Sequence, residues 1–199
     1  MDRRHDSAST GERSARGVRW HDGGMEALLA SIALAPPRAG ATRVIAIDGR
    51  SGAGKSTLAG ALAGRLGAPL VSLEDLYGGW DGLEHGVSLL RSAVLVALAA
   101  GRAASVPRYD WHAAAWSEPW TLEPPELLIV EGVGVGAQEL APYTSLLVWL
   151  ELDAPARRER ARARRAPDAP QWERWAVQEE EYVGRERPAE RADLVLACR

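Results

Sequence analysis

The chain has 199 residues, and its 46% hydrophobic and 26% charged content is ordinary for one soluble globular domain with a substantial core. Its net charge of −3 disfavours nucleic acid and anionic membranes as partners, and no apolar run approaches the length of a membrane span. The single cysteine, Cys198, excludes an internal disulfide framework and favours a reducing, cytoplasmic compartment.

The first 24 residues are polar, charged and glycine-containing, which predicts a disordered leader. Residues 25–34 carry apolar side chains at helical spacing and predict a short helix that ends before Pro36. We expect a single domain to extend over residues 25–199.

A phosphate-binding loop is predicted at residues 49–57, which fit the pattern G-x-x-x-x-G-K-[ST] after a β-branched apolar run at 44–47. Its glycines allow backbone N–H groups to approach phosphate oxygens, and the helix predicted at 58–66 directs its positive end toward the same anion. Lys55 is the only lysine in the chain, at the position where a compact charge suits the β- and γ-phosphates. The Ser56 hydroxyl is the expected Mg²⁺ ligand. The residues expected to hold the nucleotide are Gly49, Ser51, Gly52, Ala53, Gly54, Lys55, Ser56 and Thr57.

Two carboxylates, Glu74 and Asp75, follow a second strand predicted at residues 70–73. Ligands of open α/β sheets bind beyond the carboxyl ends of the strands, where a carboxylate can accept a proton from an attacking hydroxyl group. The pattern does not tell which of the two acids would do so, and a solvated turn explains them equally well.

Residues 87–100 predict a helix that ends at Gly101, and a polar, aromatic loop is expected to start at residue 107. Three tryptophans of this loop, Trp111, Trp116 and Trp120, are suited to stack on a base or a sugar. Packing against the sheet explains Trp116 and Trp120 at least as well. His112 has no neighbours at the spacing of a metal site.

Glu131 ends another predicted apolar strand, residues 127–131, in the manner of a Walker-B acid that holds Mg²⁺ directly or through water. A further buried strand is predicted at 146–150, a charged helix at 171–187 and a last strand at 192–196.

An arginine-rich helix is predicted to begin at Pro155, with Arg157, Arg160 and Arg164 on one face. It is either a solvated helix or a lid whose guanidinium groups close over the transferring phosphoryl group. Taken together, these elements predict an α/β fold: a three-layer P-loop NTPase sandwich with a mostly parallel five-stranded sheet and an Arg-rich helical lid at about 155–187. GTPases that read guanine with N-K-x-D are excluded, because that motif needs a second lysine.

From about residue 43 to residue 197, the chain resembles the uridine kinase and phosphoribulokinase family, particularly short uridine-kinase-like proteins. The matching segments are the phosphate loop, E-D-L-Y at 74–77, P-R-Y-D-W at 107–111, I-V-E-G at 129–132 and the lid opening at 153–160. The resemblance implies a base for the acceptor hydroxyl at Glu74 or its neighbour Asp75, a magnesium ligand at Glu131, and substrate- and phosphate-binding arginines in the lid. It also implies acceptor contacts from Tyr77, Tyr109, Asp110 and Trp111.

The sequence therefore predicts a Mg²⁺-requiring, ATP-dependent kinase of a small hydroxyl acceptor, for which the resemblance suggests a nucleoside. The groups expected to act in catalysis are Lys55, Glu74, Asp75, Arg157, Arg160 and Arg164. Two alternatives stay open: an enzyme that phosphorylates nucleoside monophosphates, which an arginine-rich lid also suits, and a nucleotide-binding regulatory protein without an acceptor. The sequence does not separate ATP from GTP and does not fix the oligomeric state.

Overall fold

The computed structural model describes residues 24–165 and 169–197, so the leader expected at the N-terminus lies outside the described residues except for Gly24. The strands are β1 (Arg43–Gly49), β2 (Leu70–Ser72), β3 (Ala104–Asp110), β4 (Ala115–Leu122), β5 (Leu127–Glu131), β6 (Leu146–Glu151) and β7 (Leu194–Ala197). The helices are α1 (Gly24–Leu34), α2 (Lys55–Leu66), α3 (Leu83–Leu89), α4 (Val96–Ala99), α5 (Ala154–Arg165), α6 (Ala169–Glu186) and α7 (Pro188–Arg191). In this part of the chain, no helix is long and apolar enough to cross a membrane.

Five strands form one parallel sheet in the order β2-β5-β1-β6-β7, which confirms the predicted sheet. The central strand β1 is apolar on both faces because the sheet is covered on both sides. Its side chains alternate between two cores: Ile45 and Ile47 pack with α1 and α2, whereas Val44 and Ala46 pack with the helical segment 83–99 and with α6. The three-layer sandwich is therefore confirmed.

The aromatic segment that was expected to be a loop is a β-hairpin, formed by β3 and β4 as a separate antiparallel sheet. The prediction was wrong because β4 is almost entirely exposed and shows no apolar alternation. Within β3, Pro107 coincides with a register shift between Val106 and Arg108. Asp110 closes the turn, since its Oδ1 accepts the backbone N–H groups of His112 and Ala113 at 2.8 and 3.1 Å.

The helix expected at 87–100 begins earlier, at Leu83, and contains a π-helical segment, Leu90–Leu95, before it ends in α4. Gly101 adopts a left-handed φ of 67°, and the N–H of Arg102 bonds to the carbonyl oxygen of Ala97. The predicted glycine stop is therefore confirmed. Helix α3 packs against the 3₁₀ turn Leu73–Leu76, which follows β2 and carries the two acids in question.

Candidate active site

A cleft opens beyond the carboxyl ends of β1, β2 and β5, where ligands of such sheets bind. One wall is the loop at residues 49–57 that is predicted to bind phosphate, and the other is mainly aromatic. Among the described residues, those that line the cleft include Lys55, Glu74, Glu131, Tyr77, Trp111, Trp172 and Trp175. The structure thus brings together the predicted loop and carboxylates from two separate segments.

The loop is held in its turn by glycines in left-handed conformations. At Gly52, φ is +85°, and an added Cβ would collide with the carbonyl oxygen of Arg157 at the start of α5. Helix α2 begins at Lys55, so the positive end of its dipole faces the loop, where it would stabilise a bound anion. The Lys55 side chain is only 8% exposed, and its Nζ donates to the carbonyl oxygen of Arg50 at 3.2 Å.

Glu131 is buried beside the loop and holds two serine hydroxyl groups. Ser72 Oγ donates to Glu131 Oε1 at 2.7 Å, and Ser56 Oγ donates to Oε2 at 3.3 Å. A carboxylate and a hydroxyl oxygen in contact suit Mg²⁺, which keeps several waters and takes few protein ligands besides substrate phosphates. Among the described residues, no group of three or more acidic, histidine or cysteine side chains is arranged so that it could hold a metal ion. This donor set therefore fits magnesium bound together with a nucleotide, and the residues that would hold it are Ser56 and Glu131.

Asp48, a fully buried carboxylate at the end of β1, was not singled out from the sequence. It accepts the Tyr182 hydroxyl at 2.5 Å and the backbone N–H groups of Gly49, Gly134 and Gly136 at 2.7, 3.3 and 2.9 Å. Burial raises the Asp48 pKa, and these hydrogen bonds oppose that shift. Asp48 therefore ties the start of the phosphate loop to the turn after β5 and to α6. The sequence signal that could have identified Asp48 was an acidic residue inside an otherwise apolar strand.

The two candidate bases are placed differently. Glu74 lines the cleft, and its backbone carbonyl oxygen accepts Nε1 of Trp111 at 3.0 Å. Asp75 is not among the described residues that line the cleft. Burial raises the Asp75 pKa, and the nearby Arg108 partly offsets the shift.

The predicted acceptor residues also separate into two groups. Tyr77 and Trp111 line the cleft, and Tyr77 donates its hydroxyl to the carbonyl oxygen of Val133 at 2.8 Å. Tyr109 makes an edge-to-face contact with Trp111, with ring centroids 5.4 Å apart. Asp110 is used by the hairpin turn. Trp111 is thus the hairpin ring at the cleft, and Tyr109 supports it.

The predicted lid arginines lie on α5. Arg157 donates Nε to the carbonyl oxygen of Leu152 at 3.0 Å, and its Nη1 lies 3.8 Å from Glu179 Oε1. Arg157 and Arg160 are not among the described residues that line the cleft. The side chain of Arg164 lies outside what the structure describes. Their predicted contacts with a phosphoryl group stay a prediction.

Helix α6 contributes residues that sequence reasoning did not assign to the site. Trp175 Nε1 donates to Ser51 Oγ at 3.0 Å, and Glu179 Oε2 accepts the backbone N–H of Ser51 at 2.8 Å. The available signal was helical spacing, because Trp172, Trp175 and Glu179 fall on one face of an otherwise charged helix.

Sequence comparison finds cytidylate kinases. The chain is 36% identical over 127 residues to the cytidylate kinase of Pseudomonas aeruginosa strain LESB58, a match that covers 61% of this chain and 52% of that protein. The cytidylate kinase of strain UCBPP-PA14 is 37% identical over the same length. The chain thus spans about half the length of the curated relatives it matches. No protein-family model matches the chain.

Structural comparison finds a possible uridine kinase from Bacillus stearothermophilus, with a TM-score of 0.64 at 24% sequence identity. The superposition covers 85% of this chain and 95% of that one. At this identity the likeness concerns the fold. The sheet order and this likeness agree, and the predicted fold is confirmed: a three-layer α/β sandwich around a parallel five-stranded sheet.

Proposed function

We propose that this protein is an ATP-dependent kinase that transfers the γ-phosphoryl group to a hydroxyl group of a small acceptor. One observation carries the proposal: a lysine-bearing phosphate loop and two carboxylates, Glu74 and Glu131, line the same cleft. Phosphoryl transfer asks a protein mainly for positioning and for charge stabilisation, and these groups can supply both.

On the phosphate side, the loop amides and the N-terminus of α2 would bind the triphosphate, and Lys55 would stabilise the charge that develops on it. Bound Mg²⁺ would neutralise phosphate charge. Ser56 and Glu131 would orient that ion, and Ser72 would hold the Glu131 carboxylate in place through its 2.7 Å hydrogen bond.

On the acceptor side, we propose Glu74 as the base, because Glu74 is among the described residues that line the cleft and Asp75 is not. Its carboxylate would accept the proton of the attacking hydroxyl group. Trp111, whose Nε1 holds the backbone of Glu74, would place a planar acceptor against that carboxylate.

A nucleoside fits this acceptor wall in two respects. Its base is a planar group that an indole ring can stack on, and its ribose carries free hydroxyl groups. Among the described side chains that line the cleft, Lys55 is the sole cation. This favours an uncharged acceptor, because a phosphate-bearing one would call for additional cations.

The similarity to cytidylate kinases supports a second candidate, a nucleoside monophosphate as acceptor. In that case, α5 would have to provide the cations for the acceptor phosphate.

The test is ADP release from Mg²⁺ and ATP across matched pairs of nucleosides and nucleoside monophosphates. Activity with nucleosides supports the first candidate, and activity with monophosphates alone supports the second. ATP binding without acceptor-stimulated ADP release would contradict both, and would indicate a regulatory nucleotide-binding protein. Running the panel again with GTP identifies the phosphoryl donor.

A further inference from the structure

We propose that Glu179 is a positioning residue for Lys55, and that it acts through the peptide unit between Arg50 and Ser51. The two ends of this single peptide group are held by different side chains. Its N–H donates to Glu179 Oε2 at 2.8 Å, and its C=O accepts Nζ of Lys55 at 3.2 Å. Because a peptide group is planar, a rotation that frees the N–H also moves the carbonyl oxygen that Lys55 contacts.

Glu179 contacts the loop from outside the cleft. Its side chain is only 7% exposed, and Glu179 is not among the described residues that line the cleft. Two guanidinium groups, on Arg50 and Arg157, lie 3.8 Å from its Oε1, while Oε2 accepts the Ser51 N–H. This arrangement leaves the carboxylate paired and hydrogen-bonded, as a buried charge requires.

Helix α6 fixes the carboxylate at this point by further contacts with the same loop. Trp175, one helical turn before Glu179, donates Nε1 to Ser51 Oγ at 3.0 Å and packs on Tyr77 with ring centroids 4.6 Å apart. One residue of the loop, Ser51, thus meets α6 through both its backbone and its side chain. Residues on α6 would therefore set the orientation of the loop and, through it, of Lys55.

The neighbouring residue provides a matched control. Glu180 lies next to Glu179 on α6, is 71% exposed, and pairs with Arg50 at 2.7 Å. Glu180 Oε2 accepts a hydrogen bond from this guanidinium group, whereas Glu179 Oε2 accepts one from the loop backbone. A role that depends on acidic charge near Arg50 would belong to both residues, whereas the proposed role belongs to Glu179 alone.

Two conservative variants of Glu179 separate the effect of side-chain length from the effect of charge. Glu179→Gln keeps an oxygen at the same distance along the side chain but loses the charge, and Glu179→Asp keeps the charge but is one methylene short of the Ser51 N–H. We expect Gln to retain MgATP affinity within about threefold, and Asp to lower it about tenfold, because the loop would lose its acceptor. Glu180→Gln should leave the affinity unchanged. Calorimetry measures all three, and the thermal midpoints verify folding.

The position of the ammonium group can be followed directly, because Lys55 is the only lysine in the chain. Lysine labelled with ¹³C at Cε gives one signal from this residue in the nucleotide-free protein. We expect the signal to move in Glu179→Asp and to stay near the wild-type position in Glu179→Gln and Glu180→Gln. A lysine signal that did not move in Glu179→Asp would overturn the proposal. So would equal effects of Glu179→Asp and Glu179→Gln, or equal effects of substitutions at Glu179 and at Glu180.

This inference rests on the proposed function only in assuming that the loop binds a nucleotide. If the wild-type protein bound no MgATP, the proposed function would fail, whereas the lysine signal would still decide whether Glu179 positions Lys55. If MgATP bound normally and the lysine signal did not move in Glu179→Asp, the inference would fail and the proposed function would stand.

Discussion

The two walls of the cleft are built in different ways. On the phosphate wall, the side proposed to bind phosphate, Lys55 and Glu131 line the cleft as buried, hydrogen-bonded groups. The buried Asp48 supports this wall by accepting the N–H of Gly136. The acceptor wall combines two buried rings, Tyr77 and Trp175, with the half-buried Trp111 of the hairpin of β3 and β4. In that hairpin the rings meet edge to face, and Trp116 is 46% exposed. Buried hydrogen bonds allow few arrangements, whereas exposed ring contacts can repack. We therefore expect changes in the first wall to impair chemistry, and changes in the second to alter the choice and affinity of the acceptor.

The largest effect should come from Lys55→Ala. Removing the cleft-lining ammonium group leaves the developing phosphate charge without its main side-chain partner, and we expect kcat to fall about a thousandfold. The thermal midpoint should stay close to that of the wild-type protein. Steady-state ADP release measures the effect, and an unchanged rate would mean that this loop is not the phosphate wall.

Glu131→Gln should be next in size. The amide is a weaker ligand for a hard cation, so we expect kcat to fall about a hundredfold and the Mg²⁺ concentration for half activity to rise. A magnesium titration at fixed ATP measures both, with Ser72→Ala as a milder change to the same carboxylate. A drop in kcat with unchanged magnesium dependence would remove Glu131 from the metal site.

Glu74→Gln should lower kcat about a hundredfold through loss of the base, with little change in the KM for ATP. Its partner variant, Asp75→Asn, should retain activity within about threefold, because that carboxylate lies outside the cleft lining. Steady-state kinetics of the two variants, measured side by side, show which of the two acids is the base. The reverse ranking would assign it to Asp75.

On the acceptor wall, Trp111→Leu should raise the KM for the acceptor about tenfold, since the stacking surface is lost. The KM for ATP should stay unchanged. Trp120→Leu, on the same hairpin but outside the cleft lining, serves as the control. If Trp111→Leu raised the KM for ATP and left that for the acceptor alone, the two walls would have been assigned the wrong way round.

The smallest effect concerns stability. Because burial raises the Asp48 pKa, the folded state holds this proton more tightly than the unfolded state. The contribution of Asp48 to stability is greatest below its unfolded pKa, and it declines as pH rises through the folded pKa. Tyr182→Phe removes a hydrogen bond that lowers this pKa, so the decline should extend to higher pH. We expect a loss of about 1–2 kcal/mol in the free energy of unfolding, larger at pH 8 than at pH 4. Urea unfolding at both pH values measures this loss. An equal loss at pH 4 and pH 8 would contradict the link between the Tyr182 hydrogen bond and the Asp48 pKa.

The two walls also differed in how well the sequence predicted them. The phosphate loop, the parallel strands and the acid at the end of β5 follow from short local patterns, so they were predicted with nearly their observed bounds. The hairpin was missed because an exposed strand such as β4 carries no apolar alternation to signal it. Glu179 was missed because its partner, Ser51, lies 128 residues away in the sequence.

The sequence by itself determined the fold and the phosphate-binding loop, because glycine spacing, one lysine and apolar runs of strand length act locally. Only the tertiary structure decided that Glu74 lines the cleft, that Asp48 joins three segments, and that α6 meets the loop at Ser51. These contacts join residues far apart in the chain, and hydrogen bonds act only over about 3 Å, so they exist only once the sheet has brought their partners together.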